Sequence, residues 1–123
     1  KALVSIRNDF NEKKTALYGF AMDQSPRPSS KTYWKEFLGN KVPVFSGAER
    51  VSKEYGFPVV YTSINRYKRG FYSANVSLVS EFPKKTKPNE ITDIFYDKLE
   101  NQIKKDPSQY LWTHNRFKYL KTD

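Results

Sequence analysis

Apolar residues at Leu3, Ile6 and Phe10 fall at i, i+3 and i+7, so the spacing predicts a helix over residues 2–12. Lys13 and Lys14 follow it, cations suited to a helix C-terminus. The run Thr15–Met22 is continuously apolar with no alternation, which reads as a strand buried on both faces, as in a parallel sheet. Two prolines and three serines then make residues 25–31 a loop. Residues 33–45 read as irregular with a short strand. Ser46 and Glu49 have capping-box spacing ahead of a helix over 47–55, with Gly56 as a left-handed stop and Pro58 beyond it.

Val59 to Ile64 is a second apolar strand, and Tyr67-Lys68-Arg69-Gly70 supplies a turn. Tyr72, Ala74, Val76 and Leu78 alternate with polar neighbours, the pattern of a strand with one wetter face. A basic loop, residues 83–89, leads to Asn89, placed to cap a last helix with Glu90 and Asp93 in its first turn. Ile91, Ile94, Phe95, Leu99 and Ile103 form that helix's apolar stripe, and Pro107 ends it. The order helix, strand, helix, strand, strand, helix gives an α/β class: a partial mixed sheet flanked by helices, in one domain over 1–123.

The formal charge is +9, which favours an anionic partner: nucleic acid, an anionic membrane face, a phosphorylated lipid or an acidic protein. The chain has no Cys and one His, which excludes disulfides, a thiolate nucleophile and a Cys/His metal site, and no metal or cofactor is expected. No run of about eighteen apolar residues is present to span a membrane. The chain begins at Lys1 and its one methionine is Met22, which points to a piece of a longer protein.

Asp23-Gln24 follows the first apolar run, where ligands bind in open parallel sheets; the same pair also suits a plain strand cap. Arg66, Lys68 and Arg69 either clamp a phosphate or form a solvated basic turn. His114 has no neighbouring carboxylate in sequence, so it reads as a structural or substrate-contacting residue rather than a general base. Around it, Tyr110, Trp112, Arg116 and Lys118 put aromatics beside cations, which suits a polyanionic, partly apolar ligand.

The segment order resembles the C-terminal half of the bacterial lipid A biosynthesis acyltransferases, the lauroyl/myristoyl acyltransferase family. Tyr18-Gly19-Phe20-Ala21-Met22-Asp23-Gln24 is similar to that family's strand ending in Asp-Gln or Asp-His, and Phe37-Leu38-Gly39 to its Phe-Phe-Gly. Gly47 matches the glycine before its next helix; Pro58-Val59-Val60, Arg66 and Gly70-Phe71-Tyr72 match its following strands. The stretch from Pro107 to Lys118 resembles Pro-Glu-Gln-Tyr-x-Trp-x-His-Arg-Arg-Phe/Trp-Lys, with Ser108 and Asn115 departing from it.

The resemblance implies a glycerolipid-acyltransferase-like fold and transfer of a fatty acyl chain from acyl carrier protein to a phosphorylated lipid A precursor, at the cytoplasmic face of the bacterial inner membrane. It implies substrate contacts at Asp23, Gln24, Arg66, His114, Arg116 and Lys118. Family catalysis is attributed to a His-x4-Asp/Glu pair; here the residue five positions after His114 is Tyr119. The pair and a membrane anchor are therefore expected upstream of Lys1, the fragment is expected to be inactive alone, and its open sheet edge and uncovered apolar face are expected to bring self-association or instability. A basic nucleic-acid-binding module is the competing reading, from the cations and interleaved aromatics.

Overall fold

The computed structural model describes residues 2–122. Its elements are α1 (Ala2–Asn11), β1 (Tyr33–Phe37), β2 (Asn40–Val44), α2 (Gly47–Tyr55), β3 (Val59–Lys68), β4 (Phe71–Ser80) and α3 (Glu90–Lys105). Single 3-10 turns lie at Pro83–Lys85 and Pro107–Gln109. The chain is α/β, with each sheet a two-stranded antiparallel hairpin, β1–β2 and β3–β4.

The run Thr15–Met22 is not a strand. Apolar character alone does not make one: a strand also needs a hydrogen-bonded neighbour. Neither hairpin pairs with this run, so no parallel ladder exists among the described residues. Leu17 stands 91% exposed, and only Met22 at the far end is buried.

Residues 33–45 are more regular than their pattern indicates. Phe37 pairs with Asn40, leaving Leu38 and Gly39 as a two-residue turn with φ of 50° and 75°. Two successive positive φ angles match the right-handed twist of the flanking strands. The leucine hides this turn, because that position favours Asn, Asp or Gly.

This hairpin lies on α3, and the core forms between them from Phe37, Val42, Val44, Tyr96, Leu99 and Ile103, closed by Met22. Phe37 and Tyr96 meet edge to face at 5.7 Å between ring centroids. A polar rim fixes the docking: the Tyr33 hydroxyl donates to Asp93 (2.9 Å), the Leu38 N–H donates to Glu100 (3.0 Å), and Lys35 pairs with Asp97 (3.0 Å).

Both expected caps take another form. Neither the Ser46 nor the Asn89 side chain caps its helix. Glu49 instead reaches across from α2 and accepts from the Thr92 N–H (2.9 Å) and hydroxyl (2.6 Å), with Lys53 on its other oxygen (2.7 Å). A carboxylate from a neighbouring helix thus satisfies an orphan N–H in the first turn of α3 and complements its dipole. Gly56 does end α2 in the left-handed region, at φ 79°.

In β3–β4 the wetter face is the apolar one. The register pairs Val60 with Leu78, Thr62 with Val76 and Ile64 with Ala74 on one face, and Val60, Ile64, Val76 and Leu78 are exposed there. The other face carries Tyr61, Ser63 and Asn65 opposite Ser77, Asn75 and Ser73. The hairpin meets α3 through Tyr61, whose hydroxyl donates to Gln102 at 2.7 Å, while the Gln102 amide donates to the Ile64 carbonyl at 3.3 Å.

Candidate functional site

After α3 the chain turns at Asp106, whose carboxylate accepts from the Ser108 N–H (3.2 Å), and comes back across the segment Met22–Ser25. Four side chains close on that segment. The Tyr96 hydroxyl donates to the Met22 carbonyl and accepts from the Phe45 N–H. The Tyr110 hydroxyl donates to the Asp23 carbonyl at 2.7 Å. The Ser25 N–H donates to His114 Nε2 at 3.0 Å, so that ring nitrogen serves as the acceptor. Arg116 Nη1 donates to Ser25 Oγ at 2.8 Å and to the Pro43 carbonyl at 3.2 Å.

Arg116 is the largest fully buried side chain, 1% exposed. Its guanidinium carbon lies 5.2 Å from the Phe37 ring centroid and 5.7 Å from that of Tyr96. Stacking a desolvated cation on ring faces contributes about 2 kcal/mol per good contact. No carboxylate pairs with it among the described residues, and its Nε and Nη2 have no hydrogen-bond partner. Burial pushes the Tyr96 hydroxyl up to about 12, against smaller lowering effects from the Phe45 N–H and the Arg116 charge.

The structure therefore gathers Asp23, His114 and Arg116, three of the sequence-derived site residues, around Ser25. Asp23 is half-buried. Burial raises the hydroxyls of Tyr61 and Tyr110, and the Asp23 carboxylate adds to the rise in both. Gln24, Arg66 and Lys118 lie outside this cluster and are exposed. Arg66 is held by its backbone, its N–H donating to Gln109 Oε1 at 2.5 Å, which leaves its guanidinium at the surface. Lys118 extends to 5.1 Å from the Tyr119 ring centroid.

This bracing of the segment from Met22 to Ser25, whose two ends are buried, by a returning Tyr/His/Arg stretch joins the Asp23-Gln24 motif to the C-terminal motif. A family model, Bacterial lipid A biosynthesis acyltransferase, matches residues 12–119. The chain belongs to this family. No curated protein and no solved structure matches it.

In this lipid A acyltransferase family member, Arg116 has its hydrogen-bonding and stacking contacts inside the protein rather than at an open surface. The outward cations are Arg66 and Lys118. Ser25, Pro43 and Tyr96 are the residues that sequence reading missed. Ser25 is the first residue of a Ser/Pro-rich loop, which reads as linker. Pro43 contributes only a carbonyl, which carries no side-chain signal. Tyr96 lies beside the apolar stripe of α3 and carries a hydroxyl, and a buried tyrosine needs a partner, the one cue available in the sequence.

Proposed function

We propose that this chain is the ligand-gripping portion of an acyltransferase that moves a fatty acyl chain from acyl carrier protein to a phosphorylated lipid A precursor at the cytoplasmic face of the inner membrane. What supports the reading is the joining of Asp23-Gln24 to the Tyr110–Lys118 stretch through Ser25, in a chain of this family. In this arrangement Arg116 and His114 are internal braces that set where Asp23 and Gln24 stand. Arg66 and Lys118 offer ammonium and guanidinium groups to phosphate, for which forked and point-charge donors are both suited. The +9 surplus draws an acidic carrier protein and an anionic lipid to the same molecule. The chain holds no His-x4-Asp/Glu pair, so by itself it binds without transferring.

The test measures binding of the purified chain to a phosphorylated lipid A precursor and to lauroyl-acyl carrier protein across a salt series, with acyl transfer assayed alongside. Lipid binding should weaken as salt rises. Arg66→Ala and Lys118→Ala should each weaken it about 3- to 5-fold, as loss of an exposed ionic contact of up to ~1 kcal/mol predicts. Transfer should be absent. Tighter binding to a single-stranded oligonucleotide than to the lipid at every salt concentration would replace this reading with the nucleic-acid module.

A further inference from the structure

The β3–β4 hairpin runs out past the helices. From Arg66 to Val76 every residue is exposed, whichever face it lies on. The last support is the turn Pro107–Gln109, where Gln109 Oε1 accepts from the Arg66 N–H. Beyond it Lys68 pairs with Phe71, and the hairpin closes through Arg69 and Gly70. Gly70, at φ 78°, has open space where a Cβ would stand, so the tip is convex.

Charge and aromatic rings are both concentrated at this tip. The hairpin, residues 59–80, holds the cations Arg66, Lys68 and Arg69 and no acidic residue. Among the described residues no carboxylate lies within ion-pair distance of Lys68 or Arg69. Tyr67, Phe71 and Tyr72 stand beside them, Tyr67 being 69% exposed. The Tyr67 and Phe71 ring centroids are 6.1 Å apart, and Lys68 Nζ sits 4.3 Å from that of Phe71. Another ring comes to the same support from the C-terminal stretch. Trp112, half-exposed, donates its indole N–H at 2.6 Å to the Pro107 carbonyl, in the turn that braces Arg66.

We propose that this tip is a bilayer anchor, with its rings at the headgroup–acyl boundary of an anionic membrane and Lys68 and Arg69 on lipid phosphates. Tyr and Trp concentrate at that boundary because one end of each is apolar and the other is wet. Lysine and arginine stems lie along apolar surface while their heads reach charge. The dimensions agree. Phe71 stands one residue from the turn and Tyr72 two, at about 3.3 Å per residue, within the roughly 5–10 Å to which interfacial segments are buried. Single-stranded nucleic acid also takes rings and cations, but it tracks a groove, and this tip is convex. A second copy would set Lys68 and Arg69 against like charges, with no acid in the hairpin to answer them. The inference rests on the membrane-face reading for its location alone. Vesicles that hold neither acceptor nor carrier protein separate the two, so either can fail without the other.

The test is binding of the chain to vesicles of mixed phosphatidylcholine and phosphatidylglycerol and to vesicles of phosphatidylcholine alone. The mixed vesicles should bind more tightly, and less so as salt rises. Each cation near such a surface is worth about 5-fold, so Lys68→Gln combined with Arg69→Gln should weaken binding roughly 25-fold. Tyr67→Ser combined with Phe71→Ser should weaken it at least about 10-fold even in high salt, the low end for burial of one large ring. Because the chain has no cysteine, a nitroxide can be placed on Tyr67→Cys alone or on Glu81→Cys alone. The first should become shielded from a water-soluble nickel chelate on binding, and the second, past the far end of β4, should stay accessible. No vesicle binding, binding that neither tip substitution changes, or a nitroxide at position 67 that stays in water would each overturn the proposal. Loss of oligonucleotide binding in the Lys68/Arg69 variant, with vesicle binding intact, would assign the tip to nucleic acid instead. A dimer without vesicles that the Tyr67/Phe71 substitutions dissolve would assign it to a second copy.

Discussion

Ser25 and Arg116, 91 residues apart, hold each other by two hydrogen bonds: the serine hydroxyl donates to the arginine's carbonyl, and the guanidinium donates to the serine's oxygen. One small side chain thereby fixes both the path of the C-terminal stretch and the seat of a buried cation. Its own N–H donates to His114, so three contacts between the two motifs pass through a single residue.

Ser25→Ala should therefore cost more than an ordinary serine truncation. It removes both bonds and leaves Arg116 Nη1 with the Pro43 carbonyl alone. A buried group deprived of its partner costs about 1–3 kcal/mol, more when charged. Urea unfolding should show a loss of about 2–3 kcal/mol. A loss under about 0.5 kcal/mol would mean that the bonds do not couple the segments.

At Arg116, volume and charge can be separated. Arg116→Ala empties a packed site between Phe37 and Tyr96 and should cost about 3–5 kcal/mol, the range for large-to-small core changes. Arg116→Met keeps most of the volume; it ends the desolvation cost of a buried cation that has no carboxylate partner among the described residues, and that relief offsets the ring stacking and the bonds to Ser25 and Pro43 that it gives up. The methionine variant should stay within about 1 kcal/mol of the parent by urea unfolding. Equal damage from both substitutions would assign the stability to the charge.

Tyr96 places a signature on the alkaline side. Its hydroxyl rises from the ordinary value of 10.0 to about 12 in the folded chain, chiefly through burial. The folded state then holds a proton that the unfolded chain releases, so this stabilisation is complete below pH 10 and falls away as pH climbs to 12. Two pH units correspond to roughly 3 kcal/mol. Tyr96→Phe should be less stable at neutral pH, having lost the bond to the Met22 carbonyl, and should show a shallower decline between those limits. Parallel declines for the two proteins would contradict the assignment.

Glu49 acts in the opposite direction. Burial raises its carboxyl, but hydrogen bonds from Lys53 and Thr92 outweigh burial and hold it below the ordinary 4.5. The folded state disfavours the proton, so its stabilisation is present above that ordinary value and disappears as pH falls through the lower folded one. Glu49→Gln should be destabilised by about 1–2 kcal/mol at pH 7, with the deficit shrinking on acidification. A deficit that stays constant down to pH 2 would show that the charge is not what holds Thr92.

The helices were legible because each carries its own hydrogen bonds and a periodic stripe: α1, α2 and α3 lie where spacing, Gly56 and Pro107 put them. The β3–β4 hairpin was legible for a related reason, as Gly70, at φ 78°, joins two alternating runs. Thr15–Met22 was not, because a strand depends on a neighbour that its own residues do not encode. The caps were not either: Glu49 serves Thr92, 43 positions away, rather than Ser46 beside it.

The sequence by itself determined the charge, the positions of the helices, the absence of a His-x4-Asp/Glu pair and the family, all of which are carried by local residue identity and order. The tertiary structure alone decided that Arg116 faces inward while Arg66 and Lys118 face out, that Ser25 joins the two motifs, and that the apolar face of β3–β4 is the exposed one. Those outcomes depend on which segments meet at long range. A buried guanidinium and a solvated one have the same letter in the chain, and only the rings and carbonyls that surround it tell them apart.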